Sequence, residues 1–127
     1  MNVPDDLLYT SDHEWAKVED GGRVRIGITD YAQDALGDVV FVSVPEPDKA
    51  VAAGDECAEV ESTKSVSSVY SPVGGVVVEV NNDLAEAPQR LNEDPYGEGW
   101  ICVIQSPDGV AADQLLTPAQ YRDLIST

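Results

Sequence analysis

Apolar side chains alternate with polar ones through most of this chain, in short stretches interrupted by Gly, Pro and Asp. That period of two is the mark of half-buried β-strands joined by turns. Leu7-Leu8-Tyr9 is a short apolar run, Thr10-Ser11-Asp12 a turn-like cluster, and His13 to Val18 a strand. Glu19-Asp20-Gly21-Gly22 reads as a hairpin loop, after which Val24, Ile26 and Ile28 alternate with Arg25 and Gly27 in the returning strand. Val39 to Val44 is the most strongly β-favouring segment, and it stops at Pro45-Glu46-Pro47-Asp48 because proline supplies no ladder donor. Val51 to Asp55 gives a short strand or turn. Ala58 and Val60 alternate with Glu59 and Glu61, and Val66 and Val69-Tyr70 resume the pattern up to Ser71-Pro72. These last two segments predict a pair of strands joined by a short turn around Lys64. Val76 to Val80 and Trp100 to Ile104 complete the set, and strands at this spacing predict a sandwich or barrel.

Two stretches change period. Thr29 to Gly37 carries the signals of a short helix, with Asp30 as cap, Gln33 three residues later and Gly37 as terminator; Tyr31, Ala35 and Leu36 are expected to face inward. Near the C-terminus Ser106-Pro107 can open a turn, and Thr117-Pro118-Ala119-Gln120 is a capping box with proline at the first helical position. Leu115-Leu116, Tyr121 and Leu124-Ile125 are expected to pack onto the strands. Asn81 to Gly99 holds no sustained periodicity, and a loop of that length in a compact domain is usually functional or specifically packed. Trp100 reads as a core residue.

Composition narrows the field. The 127 residues fit one domain, 1–127, with a modest core that needs no disulfides. Seven basic against 24 acidic side chains give a formal net charge of −17, spread along the chain, which repels phosphate backbones and anionic membranes. The expectation is no nucleic-acid partner, no membrane and a monomer. No apolar run approaches the ~20 residues of a membrane span, and Met1 to Asp6 lacks the features of a signal peptide, so the chain reads as cytoplasmic. Cys57 and Cys102 have no metal-type spacing and read as small, partly buried thiols. His13 is the sole histidine, so neither a multi-histidine metal centre nor a Ser/His/Asp triad with spare parts is on offer, and no metal ligand or catalytic residue is assigned.

Lys64 then stands out. It is the only lysine after Lys49, and Ser62, Thr63, Ser65, Ser67 and Ser68 around it are small and polar. A lysine at a hairpin tip directs its amine outward, where a modifying enzyme can grip the turn without meeting large side chains. Glu61-Ser62-Thr63-Lys64-Ser65-Val66-Ser67, with Val69-Tyr70-Ser71-Pro72-Val73-Gly74-Gly75 and Val78-Glu79-Val80-Asn81, resembles the lipoyl-attachment segment of the glycine cleavage H proteins. The resemblance extends from Leu8 to Ile125. It includes Tyr9-Thr10 with His13-Glu14-Trp15, Gly27 to Gln33, Leu36 to Val42, and Asn92-Glu93-Asp94-Pro95-Tyr96-Gly97-Glu98-Gly99-Trp100.

That resemblance implies a mainly β barrel-sandwich hybrid of the lipoyl/biotinyl type, with short peripheral helices and a C-terminal helix. The core would span 8–105 and the C-terminal helical segment 107–126. It implies lipoate attached to Lys64, recognised through Glu61, Ser62, Thr63 and Ser65, and a non-catalytic carrier. Its implied partners are glycine decarboxylase, the source of an aminomethyl group, an aminomethyltransferase that accepts it, dihydrolipoyl dehydrogenase and a lipoate-attaching enzyme. In such proteins the loaded arm folds into a surface cleft that excludes water. Glu14, with Asp12 beside it, is the expected partner for the arm's ammonium group, although an acid in a strand is by type a solvated surface residue. Several relatives carry an aspartate where Ser68 stands; Ser68 offers a hydrogen bond but no charge. Two other readings share the hairpin. A biotinyl domain fits less well because Thr63 and Ser65 flank the lysine instead of methionines, and a 2-oxoacid dehydrogenase lipoyl domain because such domains lack the His13-Glu14-Trp15 and Asn92 to Trp100 features. An acidic interaction module, or a donor of lipoyl groups to other proteins, would need the same accessible lysine.

Overall fold

The alternating segments pair into two antiparallel sheets in a computed structural model that describes residues 2–106 and 115–126. In chain order the strands are β1 (Leu8–Tyr9), β2 (Glu14–Val18), β3 (Arg23–Ile28), β4 (Val39–Ser43), β5 (Ala50–Val51), β6 (Glu56–Ser62), β7 (Val66–Tyr70), β8 (Gly75–Val80) and β9 (Cys102–Gln105). The larger sheet has the order β1-β2-β3-β9-β8-β5, and the smaller one β4-β6-β7. Among the described residues, four short α-helices sit between or after them: α1 (Asp30–Leu36), α2 (Asp83–Glu86), α3 (Arg90–Glu93) and α4 (Pro118–Ser126).

The period of two decides which residues fill the space between the sheets. Val24, Ile26 and Ile28 from β3 meet Val60 from β6, Val42 from β4, Val69 from β7 and Ile104 from β9 in one buried cluster. Each such side chain supplies about 1.5–3 kcal/mol by leaving water. Glu59 and Glu61, on the alternate positions of β6, stay exposed. Cys57 and Cys102 are both buried in this cluster.

A second cluster, of Val3, Leu7, Tyr9, Trp15 and Tyr121, lies on the larger sheet and anchors the C-terminal helix. The Tyr9 and Tyr121 rings stack with centroids 4.7 Å apart. Trp15 pairs across the ladder with Gly27, where a Cβ would come within 2.7 Å of the indole, so the glycine makes the room that the ring fills. The Thr117–Gln120 capping box forms in both directions: Thr117 N donates to Gln120 Oε1 at 2.9 Å, and Gln120 N to Thr117 Oγ1 at 3.2 Å. Leu115 is buried and Leu116 and Ile125 pack on the clusters, but Leu124 is 40 % exposed. The turn expected at Ser106-Pro107, and residues 107–114 of the expected helical segment, lie outside the described residues.

Several local expectations give way. Thr29, not Asp30, caps α1, its hydroxyl accepting from Ala32 N at 3.2 Å, while Asp30 binds Gln33 Nε2 at 2.7 Å from inside the first turn. Ala32 and Leu36, four residues apart on one face, pack inward, and Ala35 is exposed. β2 begins at Glu14, since His13 has a left-handed backbone (φ 69°). The span Asn81 to Gly99 is not a plain loop: α2 and α3 are single turns, too short to imprint a helical period. They are held from within. Asn81 Nδ2 donates to the carbonyls of Glu98 and Trp100, both at 2.8 Å, and Gly99 N donates to Asp94 O at 2.9 Å. Trp100 is half-buried, not core, with the Arg25 guanidinium 4.5 Å above its ring.

Candidate functional site

The β6–β7 register, with Glu61 opposite Val66, leaves Ser62 to Ser65 as the turn. Ser62 is buried, and its Oγ accepts from Lys64 N and Ser65 N, each at 3.1 Å, while its own N–H donates to Ser65 O at 2.8 Å. Thr63 N donates to Asp38 O at 3.1 Å, tying the tip to the start of β4. One serine thus satisfies most of the turn's main chain and fixes a loop that carries no bulk.

Lys64 is exposed at this tip, between exposed Thr63 and Ser65. Its stem passes over Gly37 at the C-terminal end of α1, where a Cβ would lie 3.1 Å from Lys64 Cε and 3.6 Å from Nζ. The end of a helix favours a cation, and Gly37 leaves the stem free to lie there. Among the described residues the four arginines all pair with carboxylates, Arg23 with Glu79, Arg25 with Glu19, Arg90 with Glu98 and Arg122 with Asp5, whereas Lys64 has no such partner. An uncommitted primary amine on a rigid turn is what acylation requires.

Beside the tip, a cleft of about 330 Å³ opens between β7, the start of β2 and α1. Asp12, Glu14, Ser65 and Ser68 line it together, over apolar walls from Ile28, Tyr31, Leu36 and Val60. The three residues expected to meet a loaded arm are therefore in one place. Glu61, Thr63 and Lys64 are not part of its lining.

Glu14 departs from the behaviour of an ordinary strand acid. It is only 2 % exposed, with Thr10 Oγ1 donating to Oε1 at 2.6 Å and Tyr70 N donating to Oε2 at 3.2 Å. Burial pushes its carboxyl above the usual range, and these two hydrogen bonds oppose that shift. The bond from Tyr70 also shows which edge of β7 faces the cleft. Asp12 is exposed at the rim, and Ser68 is half-buried.

Sequence reasoning passed over two contributors. His13 lines the cleft with its Nδ1 2.9 Å from the Tyr121 hydroxyl and its ring 4.6 Å from that of Tyr31; burial lowers its pKa. Tyr121 reaches on to Thr29 Oγ1 at 2.7 Å, and burial pushes its phenol up to about 12. Asn92 acts from outside the cleft: its Oδ1 accepts from Val39 N at 2.9 Å, and its Nδ2 donates to Gly37 O at 2.8 Å and Gln33 Oε1 at 3.0 Å. It thereby pins the helix end over which Lys64 lies. Its place in an aperiodic, Pro- and Gly-rich stretch and in the Asn92 to Trp100 segment of the family resemblance hinted at such a part, without naming its bonds. The cysteines take no part in the cleft; the hydrogen bond that the Cys102 thiol donates to Cys57, together with burial, pushes that thiol up.

Residues 7–127 match the family described as Glycine cleavage H-protein. The chain belongs to that family. It is 49 % identical over 124 residues to the glycine cleavage system H protein of Alkalilimnicola ehrlichii, covering 98 % of this chain and 95 % of that one. With the H protein of Nocardia farcinica the identity is 50 %, over 97 % and 96 % of the two chains. A crystal structure of the Mycobacterium marinum glycine cleavage system H protein superposes with a TM-score of 0.90 at 43 % identity, covering 98 % of this chain and all of that one. Membership agrees with the mainly β architecture and short helices, and makes this chain a carrier component of the glycine cleavage system. Among the described residues no helix is long and apolar enough to cross a membrane.

Proposed function

We propose that residues 1–127 form a single carrier domain bearing lipoate as an amide on Lys64. It takes an aminomethyl group from glycine decarboxylase to an aminomethyltransferase and is then reoxidised by dihydrolipoyl dehydrogenase. The observation that carries this reading is the exposed, unpaired Lys64 amine on a turn held by Ser62, next to a cleft that collects Glu14, Asp12 and Ser68. When attached, the dithiolane supplies the redox and group-carrying chemistry, and the chain itself catalyses no step.

The residues supply the rest. Lys64 provides an unbranched stem and a nucleophilic amine, which arginine's guanidinium does not. Glu61, Ser62, Thr63 and Ser65 shape the turn that the lipoate-attaching enzyme grips. In the cleft, the Glu14 carboxylate accepts an ammonium group, and its burial strengthens that pairing by excluding water. Asp12 adds negative charge at the rim and Ser68 a hydrogen bond. The ladder alternation that sends Tyr70 N to Glu14 also turns the main-chain groups of Ser68 toward the open edge of β7, so that position keeps polar groups where relatives place an aspartate.

The charge of −17 supports a cytoplasmic monomer that meets basic or neutral surfaces and avoids nucleic acids and membranes. The test is reconstitution of glycine-dependent carbon transfer with the acylated chain and its three partner enzymes. Wild type restores transfer and Lys64→Ala does not, at unchanged melting temperature; an active Lys64→Ala protein, or a biotinylated product that binds streptavidin, overturns the reading.

A further inference from the structure

Among the described residues, half of the eight large apolar side chains left exposed belong to the smaller sheet: Val40, Phe41, Val66 and Tyr70. The register explains the grouping. Phe41 pairs with Glu61, and Glu61 with Val66, so the three stand in one row on the outward face, with Phe41 53 % and Val66 55 % exposed. The next outward row is Ser43, Glu59 and Ser68, and the one beyond pairs Glu56 with Tyr70. Val40, 50 % exposed, sits at the register shift in β4 beside Phe41. The face therefore combines the chain's only phenylalanine with valines and three glutamates, and its paired rows hold no base. Scattered apolar residues need no explanation, but an apolar row around an acid on one small sheet face is the composition of a docking surface.

Position selects the occupant. Val66 lies two residues from Lys64, Glu61 three, and Thr63 N is bonded to Asp38 O just ahead of Val40 and Phe41. Enzymes that act on the far end of a long flexible arm can work at a distance from this face. The enzyme that acylates Lys64 cannot, because its active centre must reach Nζ itself, and the surface within its footprint is this row.

Resting on the proposed function of Lys64, we propose that the Phe41–Val66 face is the docking surface for the lipoate-attaching enzyme. Phe41 enters an apolar recess on that enzyme, and Glu59 and Glu61 meet a basic rim. The aromatic anchor supplies affinity, and the acids supply mainly encounter rate and orientation.

The experiment is steady-state acylation of the full chain by a lipoate–protein ligase with lipoate and ATP, with the carrier as varied substrate. Phe41→Ser raises KM for the carrier about tenfold with kcat held and the melting temperature unchanged, since a half-exposed ring supports little of the core. Val66→Thr gives a smaller rise. Glu59→Lys gives a rise that fades with added salt. An unchanged KM in Phe41→Ser overturns the proposal while wild-type acylation at Lys64 leaves the carrier reading intact; no acylation of wild type at Lys64 sinks the carrier reading itself. A dimer of the wild-type chain by light scattering that Phe41→Ser dissociates, with acylation unaffected, assigns the face to a second copy and also overturns the proposal.

Discussion

The two sheets of this protein spend their surfaces differently. The larger one is anchored by stacked tyrosines, a tryptophan seated on a glycine, and ion pairs that include Arg23–Glu79 and Arg25–Glu19. The smaller one ends in a turn of small residues, exposes Phe41 and Val66, and leaves Lys64 without a counter-ion among the described residues. Both sheets bury their inward residues, Val42, Val60 and Val69 of the smaller one among them; they differ where the larger sheet pairs its arginines with acids and the smaller one holds an aromatic ring and an amine outward. The lesson is that the attachment turn belongs to the smaller sheet while the cleft beside it draws on both, Glu14 coming from the larger one.

That difference breaks most sharply at Lys64. Lys64→Arg keeps the charge and removes the acylatable amine, so acylation falls to zero in a mass assay while thermal stability stays within about 0.5 kcal/mol. The opposite case is Trp15→Ala. It empties the ring's seat on Gly27 and the bond from its Nε1 to Pro95 O (2.9 Å), costing about 3–5 kcal/mol in denaturant unfolding.

Asn92→Ala sharpens the comparison at the seam. It strips the helix end under Lys64 and the start of β4 of three hydrogen bonds, with an expected loss of about 1–3 kcal/mol. Faster amide exchange at Val39 would localise the effect.

The smallest change is expected from Glu14→Gln, read as pH dependence. Burial raises the folded-state pKa of Glu14 above its ordinary value of 4.5, so between the two values the folded chain holds more protons than the unfolded one. The stabilisation from this group is fully present below 4.5 and is lost as pH rises through the raised value. Glu14→Gln should flatten that part of the stability profile in chemical denaturation across pH 4–8, while weakening retention of an ammonium-bearing arm.

Much of this was legible in the chain. Alternation located the strands because a sheet with one buried face writes its period directly into the sequence, as in Val24, Ile26 and Ile28. The hairpin was legible from the alternation on either side of Lys64, but its role came from the residue order Glu61 to Ser67, which resembles a lipoyl-attachment segment; a bare lysine alone is most often a solvated surface residue. Long-range geometry was not. The burial of Glu14 depends on Thr10 and on Tyr70, 56 residues away, and nothing local to His13-Glu14-Trp15 announces that partner. The cap at Thr29 was misplaced by one residue because Asp30 and Thr29 are both good caps, and the tertiary bond from Asp30 N to Tyr96 Oη (2.9 Å) goes with the helix starting at Asp30. The turns α2 and α3 were hidden because four residues cannot show a period of 3.6.

The central claim is that Lys64 is the acyl tether. Intact-mass measurement of the chain after incubation with a lipoate–protein ligase, followed by peptide mapping, tests it directly. A single lipoyl group confined to the peptide containing Lys64 is the predicted result; an unmodified Lys64, or the group on Lys17 or Lys49, would contradict it.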